Sequence, residues 1–197
     1  MKNSKILKLS QTGLFAALCY VSFTFLQIKI PVPGGDATSI HVGNAFCVLA
    51  ALFLGGLYGG LAGAIGMTIA DLLDPVYILG APKTFVLKLC IGLITGLVAH
   101  KYAKINISND KSYIFKWSLI SSACGLAFNV VLDPVVGYFY KQYILGQPQK
   151  AAAILAKLSA FTTFFNAVIS VILVVLIYNA IIPILKKSGF LLASDEN

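Results

Sequence analysis

Three stretches of this chain, residues 9–28, 37–70 and 158–185, contain no Asp, Glu, Lys or Arg. About 20 apolar residues in a helix cross the roughly 30 Å of hydrocarbon in a bilayer. In lipid every backbone N–H and C=O must be satisfied internally, so such runs specify membrane-spanning helices. The composition agrees: 58% hydrophobic residues, 11% charged and a mean hydropathy of +0.87, where a soluble domain carries about 25% charged residues. With 197 residues there is room for about six spans and their loops, and none for a soluble catalytic domain.

The fold expected is an all-α integral membrane protein, with one six-helix transmembrane domain over 1–190. Helix one, 9–28, ends at Lys29 and the turn-forming Pro31-Val32-Pro33-Gly34-Gly35. Residues 37–70 as one helix would be about 50 Å long. Its centre, Gly55-Gly56-Leu57-Tyr58-Gly59-Gly60, is a poor helix interior, so two helices, 41–55 and 58–74, are expected. The second stops before Pro75, because the residue preceding a proline is pushed out of the helical region. Helix four, 82–101, starts at Pro82, a favoured first-turn position. After the polar loop 104–116, helix five covers 114–133 and ends at Pro134. The long connection 135–157 leads to helix six, 157–185, and 191–197 forms a polar tail. Lys2, Lys5 and Lys8 ahead of an apolar stretch imitate a secretory signal, but 27–33 offers no small-residue cleavage site, so a retained first helix is expected.

Six spans put both termini on one side. The net charge is +8 and all 15 basic residues are Lys. Lys2, Lys5, Lys8, Lys101, Lys104, Lys111, Lys116, Lys186 and Lys187 share one face against six lysines on or near the other. This excess places the termini in the cytoplasm, and the loops after helices one, three and five then face outward. Without Arg the chain has no bidentate guanidinium clamp for carboxylates or phosphates. Cys19, Cys47, Cys90 and Cys124 lie far apart in apolar runs, the setting of small buried hydrophobes rather than of a disulfide or metal cage. A short repeat, Gly66 followed by Asp74-Pro75-Val76 and Gly125 followed by Asp133-Pro134-Val135, suggests two related helix ends at an offset of two spans.

Polar residues inside spans mark the candidate site. An Asp in the last turn of a helix opposes the macrodipole, so Asp74 and Asp133 call for partners, and Lys83 and Lys88 on helix four can supply them. Asp71, one turn below Asp74, is level with Lys88, and the two are expected to pair. Intramembrane ionisable groups face a cavity or one another, so this pair either binds ligand or locks the packing of helices three and four. His41 and Asn44 open helix two, where free amide N–H groups favour a polar ligand or a simple cap. Asn129 and Asn166 lie within helices five and six and must find partners, in a pocket or between helices. Tyr77, Tyr138, Tyr140 and Tyr143 form either an interfacial belt or a wall for a ring-shaped ligand. Gly13 and Ala17, Gly59 and Gly63, then Ala62 and Gly66, are small residues four apart, the spacing of close helix contacts within this chain or with another subunit. There is no G-x-x-x-x-G-K-[ST], H-E-x-x-H or G-x-S-x-G run, so enzyme chemistry has none of its usual parts and no cofactor is expected.

The run His41-Val42-Gly43-Asn44, residues 50–66 (AALFLGGLYGGLAGAIG), Ala70-Asp71-Leu72-Leu73, Ala81-Pro82-Lys83-Thr84 and Lys88 together resemble the substrate-binding S components of energy-coupling factor (ECF) vitamin transporters, most densely over 10–101. The resemblance implies six helices, cytoplasmic termini and an outer pocket closed by the loops after helices one, three and five. It also implies a substrate-binding subunit at the cell membrane that works with a transmembrane coupling protein and two ATPases. Alanines four apart on helix one are the family's docking signature, and here the best match is Gly13 and Ala17. Of the pocket residues, Asn44, Asp71, Lys83 and Thr84 fall in the matched blocks, with Lys88 beside them; His41, Asn129, Asp133, Tyr138 and Asn166 come from position and polarity. The substrate expected is a water-soluble vitamin or precursor of the pantothenate, pyridoxine or thiamine-precursor class, with flavins as a further option. The alternative is a self-contained secondary transporter built around interrupted helices.

Overall fold

The structure, a computed structural model, describes residues 2–32 and 36–188. The tail expected over 191–197 lies outside them, as does most of the turn after helix one. Six helices follow in chain order: α1 (Lys2–Phe25), α2 (Gly43–Leu54), α3 (Gly56–Leu73), α4 (Ala81–Gly96), α5 (Lys111–Phe139) and α6 (Gln149–Ser188). All but α2 are long and apolar enough to cross a membrane. At 12 residues, α2 is about 18 Å long, too short to cross alone, and it is buried along nearly its whole length.

The segment after α1 departs from expectation. The helix stops at Phe25, and an antiparallel hairpin follows, β1 (Gln27–Val32) and β2 (Asp36–His41), with Gln27 opposite His41 and Val32 opposite Asp36. Isoleucine, valine and threonine favour extended backbone, and Pro31 falls on a two-stranded ribbon, where a missing ladder donor is tolerated. Two further boundaries move. α5 does not end at Pro134 but runs through it to Phe139 and a wide π turn, Tyr140–Ile144. α6 begins eight residues before the expected start, where Pro148 is followed by helix-favouring Ala151, Ala152 and Ala153, and Ala152 N–H donates to the Pro148 carbonyl at 3.0 Å. The Asp-Pro-Val repeats therefore differ: Asp74 caps the end of α3, whereas Asp133 is inside α5.

Glycines set how closely the helices approach. Gly55 (φ +90°) joins α2 to α3 in a left-handed conformation that a side chain would strain. A Cβ on Gly59 or Gly63 would run into Ala51 or Cys47 of α2, and one on Gly92 or Gly96 of α4 into the backbone of Gly60 or Gly56 of α3. Gly59 and Gly63 are thus spent on packing inside the chain, which corrects their expected part in partner docking. Gly13 has open space around it, and Ala17 is exposed on the same side of α1. The core beneath is filled by Val48, Leu49, Leu52, Met67, Ile91, Leu126, Val174 and Tyr178.

Candidate binding site

At the hairpin end of the bundle, α2 to α6 and the hairpin enclose a cavity of about 300 Å³. His41, Asn44, Asp71, Lys83, Thr84, Lys88, Asn129, Asp133 and Asn166 all line it. Tyr138 does not: it is half-buried and packs edge-on against Phe139, whose other neighbour, Tyr143, is 72% exposed. The tyrosine cluster divides, because Tyr77 and Tyr140 are on the cavity wall and the Tyr140 hydroxyl donates to the Leu79 carbonyl at 2.8 Å.

The charged residues pair differently from expectation. Asp71 and Lys88 form no ion pair. The Lys83 ammonium instead bonds Asp133 at 2.9 Å, joining α4 to α5, and Asp133 also accepts from Ser159 and, at 3.1 Å, from Thr163 of α6. With three donors on one carboxylate, the cost of a charge inside the bundle is offset. Asp71, 3% exposed, interacts with Thr84. Lys88, only 8% exposed, makes no ion pair or side-chain hydrogen bond with the described residues, although Asp133 and Asp71 both act on it electrostatically. It is held by packing at the cavity wall, five residues deeper along α4 than Lys83.

The hairpin closes the cavity through α6. The Asn166 side chain accepts from the His41 backbone N–H and donates to the Ser39 carbonyl, both at 2.9 Å, in effect extending the hairpin ladder into the helix. Thr38 and Thr162 share a 2.6 Å hydrogen bond. The His41 ring meets Phe23 edge-on at 4.7 Å, and burial, then the Lys88 charge, push its imidazole down to about 3. On the outer surface Lys29 of β1 bonds Asp74 at the end of α3 and lies 5.3 Å from the Tyr77 ring centroid. Burial raises the Asp74 carboxyl, but the Lys29 ammonium and the Val76 N–H outweigh it and hold the group below its usual range.

Among the wall residues, His41 Nδ1, Asn44 Oδ1, Asn129 Oδ1 and, nearer the rim, Gln147 Oε1 are buried polar atoms without a partner among the described residues. Each such atom costs about 1–3 kcal/mol unless something bonds it. Sequence reasoning missed the α6 side of the wall, where Ser159, Thr162 and Thr163 stand beside Asn166. Their spacing of three and four residues, a polar stripe on an apolar helix, was the available signal.

A membrane helix bundle with a buried polar cavity at one end has the layout of a protein that holds a small polar solute. A family model described as the S component of ECF-type riboflavin transporters matches residues 3–182, and the chain belongs to that family of transporter subunits, which are not enzymes. A protein of Pyrococcus woesei described only as uncharacterized is 25% identical over 167 residues, 85% of this chain and 95% of its own. The solved structure of ThiT from Listeria monocytogenes shares the fold, with a TM-score of 0.62 at 16% identity over 95% of this chain and 98% of that one.

Proposed function

We propose that this subunit captures a riboflavin-like vitamin in the hairpin-end cavity, facing outward, and delivers it through an ATP-driven ECF module. The observation that carries the reading is the set of unpartnered polar atoms on His41, Asn44 and Asn129 together with the unpaired Lys88 ammonium, all around one cavity. A flavin ring carries alternating carbonyl and N–H groups that suit amides and an ammonium, and Phe23, Tyr77 and Tyr140 supply aromatic surface for a flat heterocycle. The volume lies at the small end of ligand sites, about 300–1,000 Å³. The family description favours a flavin over the pantothenate, pyridoxine and thiamine-precursor classes. The open α1 face at Gly13 and Ala17 is the proposed seat of the coupling protein, and two ATPases supply the energy for which this chain has no phosphate-binding loop.

Titration of the purified protein with riboflavin, followed by flavin fluorescence, tests the substrate. Lys88→Gln should weaken binding by about 10- to 100-fold, the range for losing a charged hydrogen bond, and should lower the unfolding temperature less than loss of Lys83 does, since no ion pair or side-chain hydrogen bond between described residues is broken. Mass spectrometry of co-purified ligand that finds a pantothenate or a thiamine precursor in place of a flavin overturns the flavin assignment. Accumulation of riboflavin in liposomes on an ion gradient alone would sink the importer-subunit reading.

A further inference from the structure

A second cavity, about 590 Å³, lies at the opposite end of the bundle, between the first turns of α5 and the last turns of α6. This is the end that carries nine of the 15 lysines, hence the cytoplasmic one by the charge rule. Its mouth holds Lys111 and Lys186, and the Lys186 ammonium is fixed by a hydrogen bond to the Ser108 carbonyl. Asp110, the acidic group beside it among the described residues, is occupied in capping α5, where it accepts from Ser112 N–H at 2.9 Å. Deeper in, the walls become apolar: Ile114 and Ile182 are buried, and Phe115 is half exposed on the outer surface of the bundle. Pro183, also on the wall, has no N–H to give to the carbonyl of Asn179 four residues back.

We infer that this cavity binds one anionic phospholipid of the cytoplasmic leaflet, its phosphate between Lys111 and Lys186 and an acyl chain along Phe115 and Ile182. Basic pockets between helices on the cytoplasmic side suit anionic headgroups. The graded wall, cationic at the mouth and apolar toward lipid, fits a molecule with both parts and not a free anion. Phosphatidylglycerol meets the charge requirement, with its one phosphate between the two ammonium groups. Nothing in this inference depends on which vitamin the other cavity takes.

Native mass spectrometry of the delipidated full chain, re-exposed to phosphatidylglycerol or phosphatidylcholine, tests it. Wild type should retain phosphatidylglycerol about tenfold better. The exposed-site variant Lys111→Gln combined with Lys186→Gln should erase that preference, and Ile182→Trp, which fills the cavity, should reduce retention of both lipids. Equal retention of the two lipids by wild type overturns the proposal, as does an undiminished preference in the lysine variant. Competition by glycerol phosphate as strong as by the lipid overturns it too, since the apolar wall would then contribute nothing. Loss of the coupling protein on purification of the lysine variant, with lipid preference intact, would reassign the surface to protein docking.

Discussion

Lys83 of α4 and Asp133 of α5 meet at 2.9 Å across the wall of the hairpin-end cavity. The bond ties two spans, gives Asp133 the lysine partner that its place near a helix end called for, and leaves Lys88 available. Removing one partner of a buried pair strands the other charge, which costs about 3–5 kcal/mol; with both side chains slightly exposed here, the lower figure applies. Lys83→Met should therefore depress the thermal unfolding midpoint in detergent strongly. Adding Asp133→Asn should recover part of that loss, because the amide oxygen still accepts from Ser159 and Thr163. A single variant as stable as wild type would show that the pair does not hold the bundle together.

Lys29 and Asp74 fasten the hairpin to the end of α3 from outside. With Lys29 43% exposed, the pair contributes about 0.2–1 kcal/mol. Asp74→Asn should speed ligand release by up to about fivefold in stopped-flow measurements, and high salt should produce much of the same effect in wild type. A release rate that responds to neither change would rule out the hairpin as the exit route.

His41 offers a dependence on pH. Its imidazole is depressed to about 3 in the fold, whereas in an unfolded chain it protonates near 6.5. Because the unfolded state then binds more protons, this residue withdraws stability as pH falls from about 6.5 toward 3 and has no such effect above that window. Wild type should lose thermal stability between pH 8 and pH 5, and His41→Gln should lose measurably less. Identical slopes for the two proteins would mean that the imidazole protonates in the fold.

Gly92 and Gly13 make a matched pair of tests. A methyl group on Gly92 meets the backbone of Gly60, so Gly92→Ala should cost about 1–3 kcal/mol or more by overpacking. Gly13→Ala meets nothing within 4 Å among the described residues and should leave the unfolding temperature unchanged or slightly raised. Co-purification of the proposed coupling protein with Gly13→Ala then tests the proposed α1 docking surface without interference from folding.

The spans were legible because their signal is local: an uncharged run of bilayer length needs no tertiary information. The polar residues within the spans were legible for a related reason, since Asn44, Asp71, Lys88 and Asn129 are too costly in lipid to face outward. Their partners were not. Level positions on neighbouring helices suggested Asp71 with Lys88, but which carboxylate a lysine reaches depends on helix rotation, and Asp133 could be placed only once α5 was seen to continue past Pro134. The hairpin was hidden for a different reason. Residues 27–41 carry only a short alternation, and their closing contacts come from Asn166 and Thr162, more than 100 residues away. Tyr138 and Tyr140 show the limit most plainly: two residues apart at the end of the same helix, one lies outside the cavity and the other on its wall.

Where α3 lies against α2 and α4, Gly56, Gly59, Gly60, Gly92 and Gly96 have backbone on the far side, and Gly63 has only the short Cys47 side chain. Three helices joined like planks without a gap cannot slide or twist past one another. Any breathing that admits a vitamin must then be borne by the hairpin and the α5–α6 side, and the planked half travels as a single piece however the protein turns in the membrane. Spin labels placed on the outer surfaces of α3 and α4 would keep one fixed separation through the whole transport cycle.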